Sequence, residues 1–256
     1  MTGPNLPLRT LPFATRVAML SRLLAIQGAW NYELLLGTGV AFCTEPALRS
    51  LPGGRDGEAC RAALARQARY FNAHPYTASF GVAALARAEL DGVPPVQIER
   101  FRTAICGPLG SIGDQLVWAG WLPFCSLLAL VAFGAGAPPI GVVLLFLGLY
   151  NVGHLALRVW GFQMGWRFGM QLSRALAHPV LRHGPAYIAR AAAFLAGLAL
   201  PLVLQRTVAS GRLYLGGTVL GAAAVGFLLV RLHGRAEGWR VALVALSVLA
   251  IYSAIR

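Results

Sequence analysis

The chain of 256 residues is 57% hydrophobic and only 12% charged, and all 22 of its basic residues are arginine, giving a net charge of +13. That is about half the charge needed to coat a water-facing surface, which excludes an ordinary soluble globular protein and leaves lipid or an apolar partner to cover the rest. The arginines fall between apolar runs instead of clustering on a recognition fold, so they read as basic loops facing the cytoplasm and not as a nucleic-acid surface.

Residues 1–30 form a basic N-terminal segment in which Pro4, Pro7 and Pro12 delay helix formation. Met1 to Ser21 contains Arg9 and Arg16 without the apolar centre of a secretory signal, so later spans are expected to direct insertion. From about residue 15 to 36, apolar residues recur at three- and four-residue steps (Val17, Leu20, Leu23, Leu24, Trp30, Leu34), which predicts an amphipathic helix lying on the membrane or on a partner. Residues 37–48 are apolar but interrupted by Pro46, and are too short to cross a bilayer alone.

A turn at 50–56 precedes an Arg-rich helix predicted over 58–71. Asn72-Ala73-His74-Pro75 breaks it, and Pro75 opens a second, small-residue-rich helix to Leu90. A short helix over 97–105 leads into Gly107-Pro108-Leu109-Gly110-Ser111-Ile112-Gly113-Asp114-Gln115, which is expected to break the chain before the first clear span, 116–133. A second span is predicted at 140–157, followed by a polar-edged helix at 161–172 and a basic connector at 173–186. Three further spans, at about 187–204, 213–230 and 239–255, follow. The expected fold is therefore an all-α integral membrane protein, with several transmembrane helices plus amphipathic and re-entrant helical segments. Its divisions are 1–30, a membrane core over 31–205, and two C-terminal transmembrane helices within 206–256.

Three polar clusters are candidates for function. Non-helical backbone at membrane depth is tolerated only where it is buried or lines a cavity, so Gly107, Pro108, Gly110 and Gly113 with Asp114 read either as a pathway turn or as a surface loop with Asp114 as a helix cap. Asn72 and His74 offer the donors and acceptors that sugar hydroxyls want, or they are simply a cap before Pro75. Asn151, His154 and Arg158 share one helix face, either as an intramembrane polar network or with Arg158 reaching out to headgroups. Glu33 is free to pair with Arg22 or Arg69 or to reach the site, and Trp118, Trp121, Trp160 and Trp166 read as interfacial anchors. Cys43, Cys60, Cys106 and Cys125 have no metal-site spacing, and no catalytic set stands out, so neither metal, cofactor nor intrinsic catalysis is expected.

Four segments in order, NYELLLGTGVAFCTEPAL (31–48), RYFNAHPYTASFGVAALARAE (69–89), GPLGSIGDQLVWAGWLPF (107–124) and YNVGHLALRVWGFQMGWRFG (150–169), resemble the IID subunit of the mannose/fructose/sorbose family of sugar phosphotransferase permeases. The resemblance covers about residues 15–200 and departs at Gln115, where a small hydroxyl residue is usual. It implies a multi-pass subunit of the bacterial cytoplasmic membrane that forms the sugar path with a IIC subunit, in a higher oligomer moving by an elevator-like mechanism. Soluble IIA and IIB would relay phosphate from phosphoenolpyruvate, and IIB would phosphorylate the incoming sugar, so no phosphorylated residue is expected in this chain. It also implies that Asn72, His74, Asp114 and Asn151 lie near the site, with Gln115 and His154 as further pathway candidates. Two other readings are a regulatory subunit of a partial phosphotransferase system that moves no sugar, and a small membrane-embedded enzyme pairing Asp114 with His74 or His154.

Overall fold

The structure is a computed structural model that describes residues 10–207. Two predicted spans, 213–230 and 239–255, lie outside the described residues, as do residues 1–9. Within the described residues the chain is helical: α1 (Phe13–Leu23), α2 (Gly37–Leu48), α3 (Glu58–Gln67), α4 (Ala78–Leu90), α5 (Pro95–Gly113), a π-helical segment (Asp114–Trp121), α6 (Leu122–Gly134), α7 (Pro139–Phe168), α8 (Leu172–Leu176) and α9 (Pro179–Thr207). α5, α7 and α9 each begin at a proline, whose missing N–H is unneeded at a helix start and whose fixed φ suits it.

Three helical stretches are long and apolar enough to cross a membrane: Pro95–Gly134, Pro139–Leu176 and Pro179–Thr207. They contain the spans expected at 116–133, 140–157 and 187–204. α7 also absorbs most of the separate helix expected at 161–172. Gly161 and Gly165 do not break it; they let α7 approach α4 so closely that a Cβ at either would collide with Phe80. α8 and the start of α9 occupy what was expected to be a basic connector at 173–186.

α4 is the centre of the core, with twelve of its thirteen residues buried, and it packs against α2, α5 and α7. Its alanines and Gly81 keep that crossing tight. α6 and α9 pack against each other, with Gly134 close against Leu202.

The structure corrects three local expectations. The amphipathic helix predicted to reach residue 36 ends at Leu23, and Asn31 instead folds a tight turn in which its Oδ1 accepts the Glu33 and Leu34 N–H groups. Pro46 does not interrupt α2, because the Phe42 carbonyl that its missing N–H would have served accepts Arg22 Nη1 at 2.7 Å. Most consequentially, the Gly/Pro stretch at 107–113 is not a turn. α5 runs through Gly107, Pro108, Gly110 and Gly113 and continues into the π-helical segment, where the Leu122 N–H reaches five residues back to Val117. Pro123, which has no N–H to offer Ala119, follows directly on this widened turn. Asp114 accordingly sits inside a continuous helical run and makes no capping hydrogen bond.

Candidate functional site

A cavity of about 400 Å³ opens between the α1–α2 link, the α3–α4 link and the face of α5 that continues into the π-helical segment. The α3–α4 link is fixed from two sides. Phe71 exchanges backbone hydrogen bonds with the α1–α2 link, its N–H donating to Leu34 at 3.1 Å and its carbonyl accepting from Leu36 at 3.0 Å. Between them Leu35 is held in the left-handed region at φ 52°, an uncommon conformation for a side chain of its size, and it lines the cavity. From the other side the buried Arg102 of α5 donates to the carbonyls of Gln67, Arg69 and Tyr70 and lies 5.0 Å above the Phe71 ring. Gln67 in turn donates to Glu89 of α4 at 2.7 Å, and Arg66 clamps the same carboxylate at 2.9 and 2.7 Å.

This anchoring sets Asn72 and His74 on the cavity wall. His74 is 3% exposed. Its Nδ1 accepts the Tyr76 N–H at 3.2 Å, which places the proton of the neutral ring on Nε2, and Nε2 is buried without a partner. Burial pushes the imidazole pKa down from 6.5 to about 4; the Asp114 carboxylate pulls against that shift and the Arg158 charge adds to it. Gly113 lies directly behind the ring, where a Cβ would collide with His74 and Thr77. Thr77 Oγ1 donates to the Leu109 carbonyl at 2.6 Å and ties the link to α5. Gly107, Gly110, Ser111 and Asp114 present small and polar surface to the cavity from that helix.

Of the sequence candidates, Asn72, His74, Gly107, Gly110 and Asp114 line one cavity, and Gly113 packs behind it. Gln115 is exposed away from it, and Pro108 is exposed without lining it. Asn151 and His154 belong to an adjoining cluster on α7: His154 Nε2 meets Asn151 Oδ1 at 2.9 Å, and its ring stacks on Tyr76 at 4.7 Å. The Tyr76 and Tyr150 hydroxyls are 2.9 Å apart. Arg158 does not reach headgroups; it is buried, lies 4.7 Å above Tyr76, and caps the end of α1 by donating to the Leu23 carbonyl. Neither histidine is hydrogen-bonded to Asp114, so the Asp–His pair required of a membrane enzyme is not formed. Arg22 pairs with Glu45 and Arg69 with Glu99, leaving neither for Glu33.

Sequence reasoning passed over Trp30, Leu35, Cys106 and Trp118 in the cavity wall, and Tyr76 and Tyr150 as the bridge to α7. For Trp118 a partial signal existed: it lies four residues after Asp114, a step that sets helical neighbours only about 40° apart.

The long apolar helices define an all-α integral membrane protein, and the first of them lines a polar, partly buried cavity. Residues 11–199 match the family model described as "PTS system mannose/fructose/sorbose family IID component", and the chain belongs to that family. It is 31% identical over 154 residues to the mannose-specific EIID component of Escherichia coli (strain K12), covering 57% of this chain and 52% of the relative. To the sorbose-specific EIID component of Klebsiella pneumoniae it is 29% identical over 164 residues, covering 61% and 57%. The matched part thus spans little more than half the length of these relatives. The fold is similar to that of a chain in the cryo-EM structure of the mannose transporter ManYZ with microcin E492, with a TM-score of 0.58 and 24% identity over 73% of this chain and 69% of that one.

Proposed function

We propose that this chain is a sugar-permease subunit of a mannose-type phosphotransferase system, forming the sugar path together with a IIC-like membrane subunit in the bacterial cytoplasmic membrane. The observation that carries this reading is a 400 Å³ cavity walled by Asn72, His74 and Asp114, behind whose surface the buried Nε2–H of His74 has no partner within the chain. A buried donor left unpaired costs about 1–3 kcal/mol, which a ligand oxygen would recover once the cavity wall shifts to admit it. Donor, amide and carboxylate together match the alternating donor and acceptor character of a sugar's hydroxyls. The mannose and sorbose specificities of the relatives support a sugar of that type, and the fold shared with a chain of the mannose transporter ManYZ supports a membrane-transport assembly.

In this reading soluble IIB- and IIA-like carriers supply the phosphate from the cytoplasm, and the chain itself holds none. α7 fits a membrane setting: its most apolar 18-residue stretch has none of its residues buried within the chain. The exposed Asn151 lies on that stretch, where lipid would be a costly neighbour. Co-expression with the IIC-like partner and the soluble carriers, followed by uptake of labelled mannose, fructose and sorbose, tests the proposal. Uptake that requires this chain and is lost in His74→Ala is expected. A complete, correctly inserted set that takes up none of the three sugars would overturn it.

A further inference from the structure

Two large aromatic side chains stand exposed in the same cavity wall, Trp118 at 53% and Trp30 at 45%. Exposed tryptophan at a membrane boundary is ordinarily an anchor, but these two share their surface with Asn72, His74 and Asp114. The backbone accounts for the position of Trp118. Cys106, Gly110 and Asp114 line the cavity at four-residue steps along α5. In an α-helix of about 3.6 residues per turn each such step overshoots by roughly 40°, so a fourth member would rotate off the cavity face. From Asp114 the chain is π-helical, with hydrogen bonds reaching five residues back and a wider turn. The step from Asp114 to Trp118 therefore undershoots and swings the indole back over the cavity. Its ring then meets His74 edge-on, with centroids 5.7 Å apart. π-helical turns cost hydrogen-bond geometry and concentrate where function requires them.

Building on the sugar-binding reading above, we propose that Trp118, with Trp30 contributing from the α1–α2 link, is the apolar platform on which the sugar ring lies while His74, Asn72 and Asp114 engage its hydroxyls. A pyranose has two chemically different aspects, a rim of hydroxyls and a face of C–H groups. The polar side chains answer only the first. An indole face carries partial negative charge and broad apolar area, and it complements the slightly positive C–H face. The substrate class this defines is a closed-ring monosaccharide. An acyclic polyol with the same hydroxyls presents no continuous C–H face and loses the platform's contribution. Trp118 is thereby a specificity-determining residue for ring form.

The test uses the full chain co-purified with its membrane partner in lipid nanodiscs, with mannose and mannitol as probes, by calorimetry and tryptophan fluorescence. The parent is expected to bind mannose with a change in emission that Trp118→Phe largely removes, and to bind mannitol at least tenfold more weakly. Trp118→Ala is expected to weaken mannose binding about tenfold or more and to shrink the preference over mannitol, with Trp118→Phe intermediate. Trp30→Ala should give a smaller loss in the same direction. If the parent binds mannose but Trp118→Ala binds it with the parent's affinity and the parent's preference over mannitol, the platform is overturned and the permease reading stands. If the parent binds no sugar of the mannose, fructose and sorbose set, the permease reading fails first and the platform falls with it. Loss of insertion or of co-purification in Trp118→Ala, with Trp118→Phe binding mannose as the parent does and showing the parent's full emission change, marks Trp118 as an anchor and likewise overturns it.

Discussion

Arg102 holds the Tyr70 carbonyl through Nη1 at 2.5 Å while its Nη2 holds Gln67 and Arg69, so one side chain of α5 gathers the whole C-terminal end of α3. The last carbonyls of a helix need partners, and a planar guanidinium can serve several at once where an ammonium cannot. Because Phe71 and Asn72 follow directly, this contact also sets the cavity wall.

Arg102→Lys is therefore expected to lower stability by about 2 kcal/mol, on the scale of lost hydrogen bonds to a charged group. A thermal melt of the detergent-solubilised complex measures it. Hydrogen exchange at 70–74 should rise while exchange within α7 stays unchanged. A melt and an exchange pattern identical to the parent's would show that the link is held by its pairing with Leu34 and Leu36 alone.

His74 makes a pH prediction of definite sign. Its pKa falls from 6.5 to about 4 on folding because burial disfavours the charged ring. The unfolded chain therefore binds more protons in between, and stability rises with pH there. The contribution is fully present above pH 6.5 and is lost as the pH falls toward 4. Denaturation of His74→Gln should show a shallower pH dependence than the parent across that window. Sugar binding by the parent should be flat between pH 6 and 8, since the ring remains neutral and keeps its Nε2 proton.

Asp114 caps no helix, so the near equivalence of Asp and Asn as caps is irrelevant to it. Asp114→Asn is expected to reduce sugar uptake at least tenfold with membrane abundance changed less than twofold. Quantitative blotting beside an uptake assay separates the two. Equal uptake by mutant and parent would remove the carboxylate from the pathway.

The arginines of α3 and of the link that follows it divide into residues with different duties. Arg66 is committed to the buried Glu89, and Arg66→Glu should cost about 3 kcal/mol through the unpaired carboxylate it leaves behind. Arg61 and Arg69 are exposed, and Arg69 pairs only at the rim with the half-exposed Glu99. If this face receives a phosphorylated IIB-like carrier, Arg61→Glu with Arg69→Glu should weaken that binding about tenfold at low salt. The salt dependence should also flatten, because exposed charges are screened beyond about 8 Å at physiological ionic strength. Unchanged affinity and unchanged salt slope would move the docking face elsewhere.

What could be read from the residues and what could not divide along physical lines. The three spans within the described residues were legible because apolar length is a one-dimensional property, and the break at Asn72-Ala73-His74-Pro75 because Asn and Pro both disfavour the helix interior. The helix through Gly107–Gly113 was not legible: glycine and proline lower helix propensity, but the packing of Gly113 against His74 and the bond from Thr77 to Leu109 override propensity, and both come from a segment more than thirty residues away. The same holds for Pro46, since the Phe42 carbonyl it leaves without an N–H partner is served by Arg22. Asn151 and His154 were legible as a polar face of α7, but that Tyr76 and Tyr150 bridge it to the cavity depends on how α4 and α7 cross.

α7 is one uninterrupted helix of 30 residues, about 45 Å long, and the two halves of that length lie in different surroundings. Its first half belongs to an apolar span, while its second half is wedged against Phe80 through Gly161 and Gly165. A rod clamped at one end and immersed at the other behaves as a lever. A change in bilayer thickness that tilts the immersed half has to be absorbed at the clamp, beside Tyr76 and the cavity. In the permease reading, the shape of the cavity would then follow the acyl-chain length of the surrounding lipid, although no lipid need touch its lining.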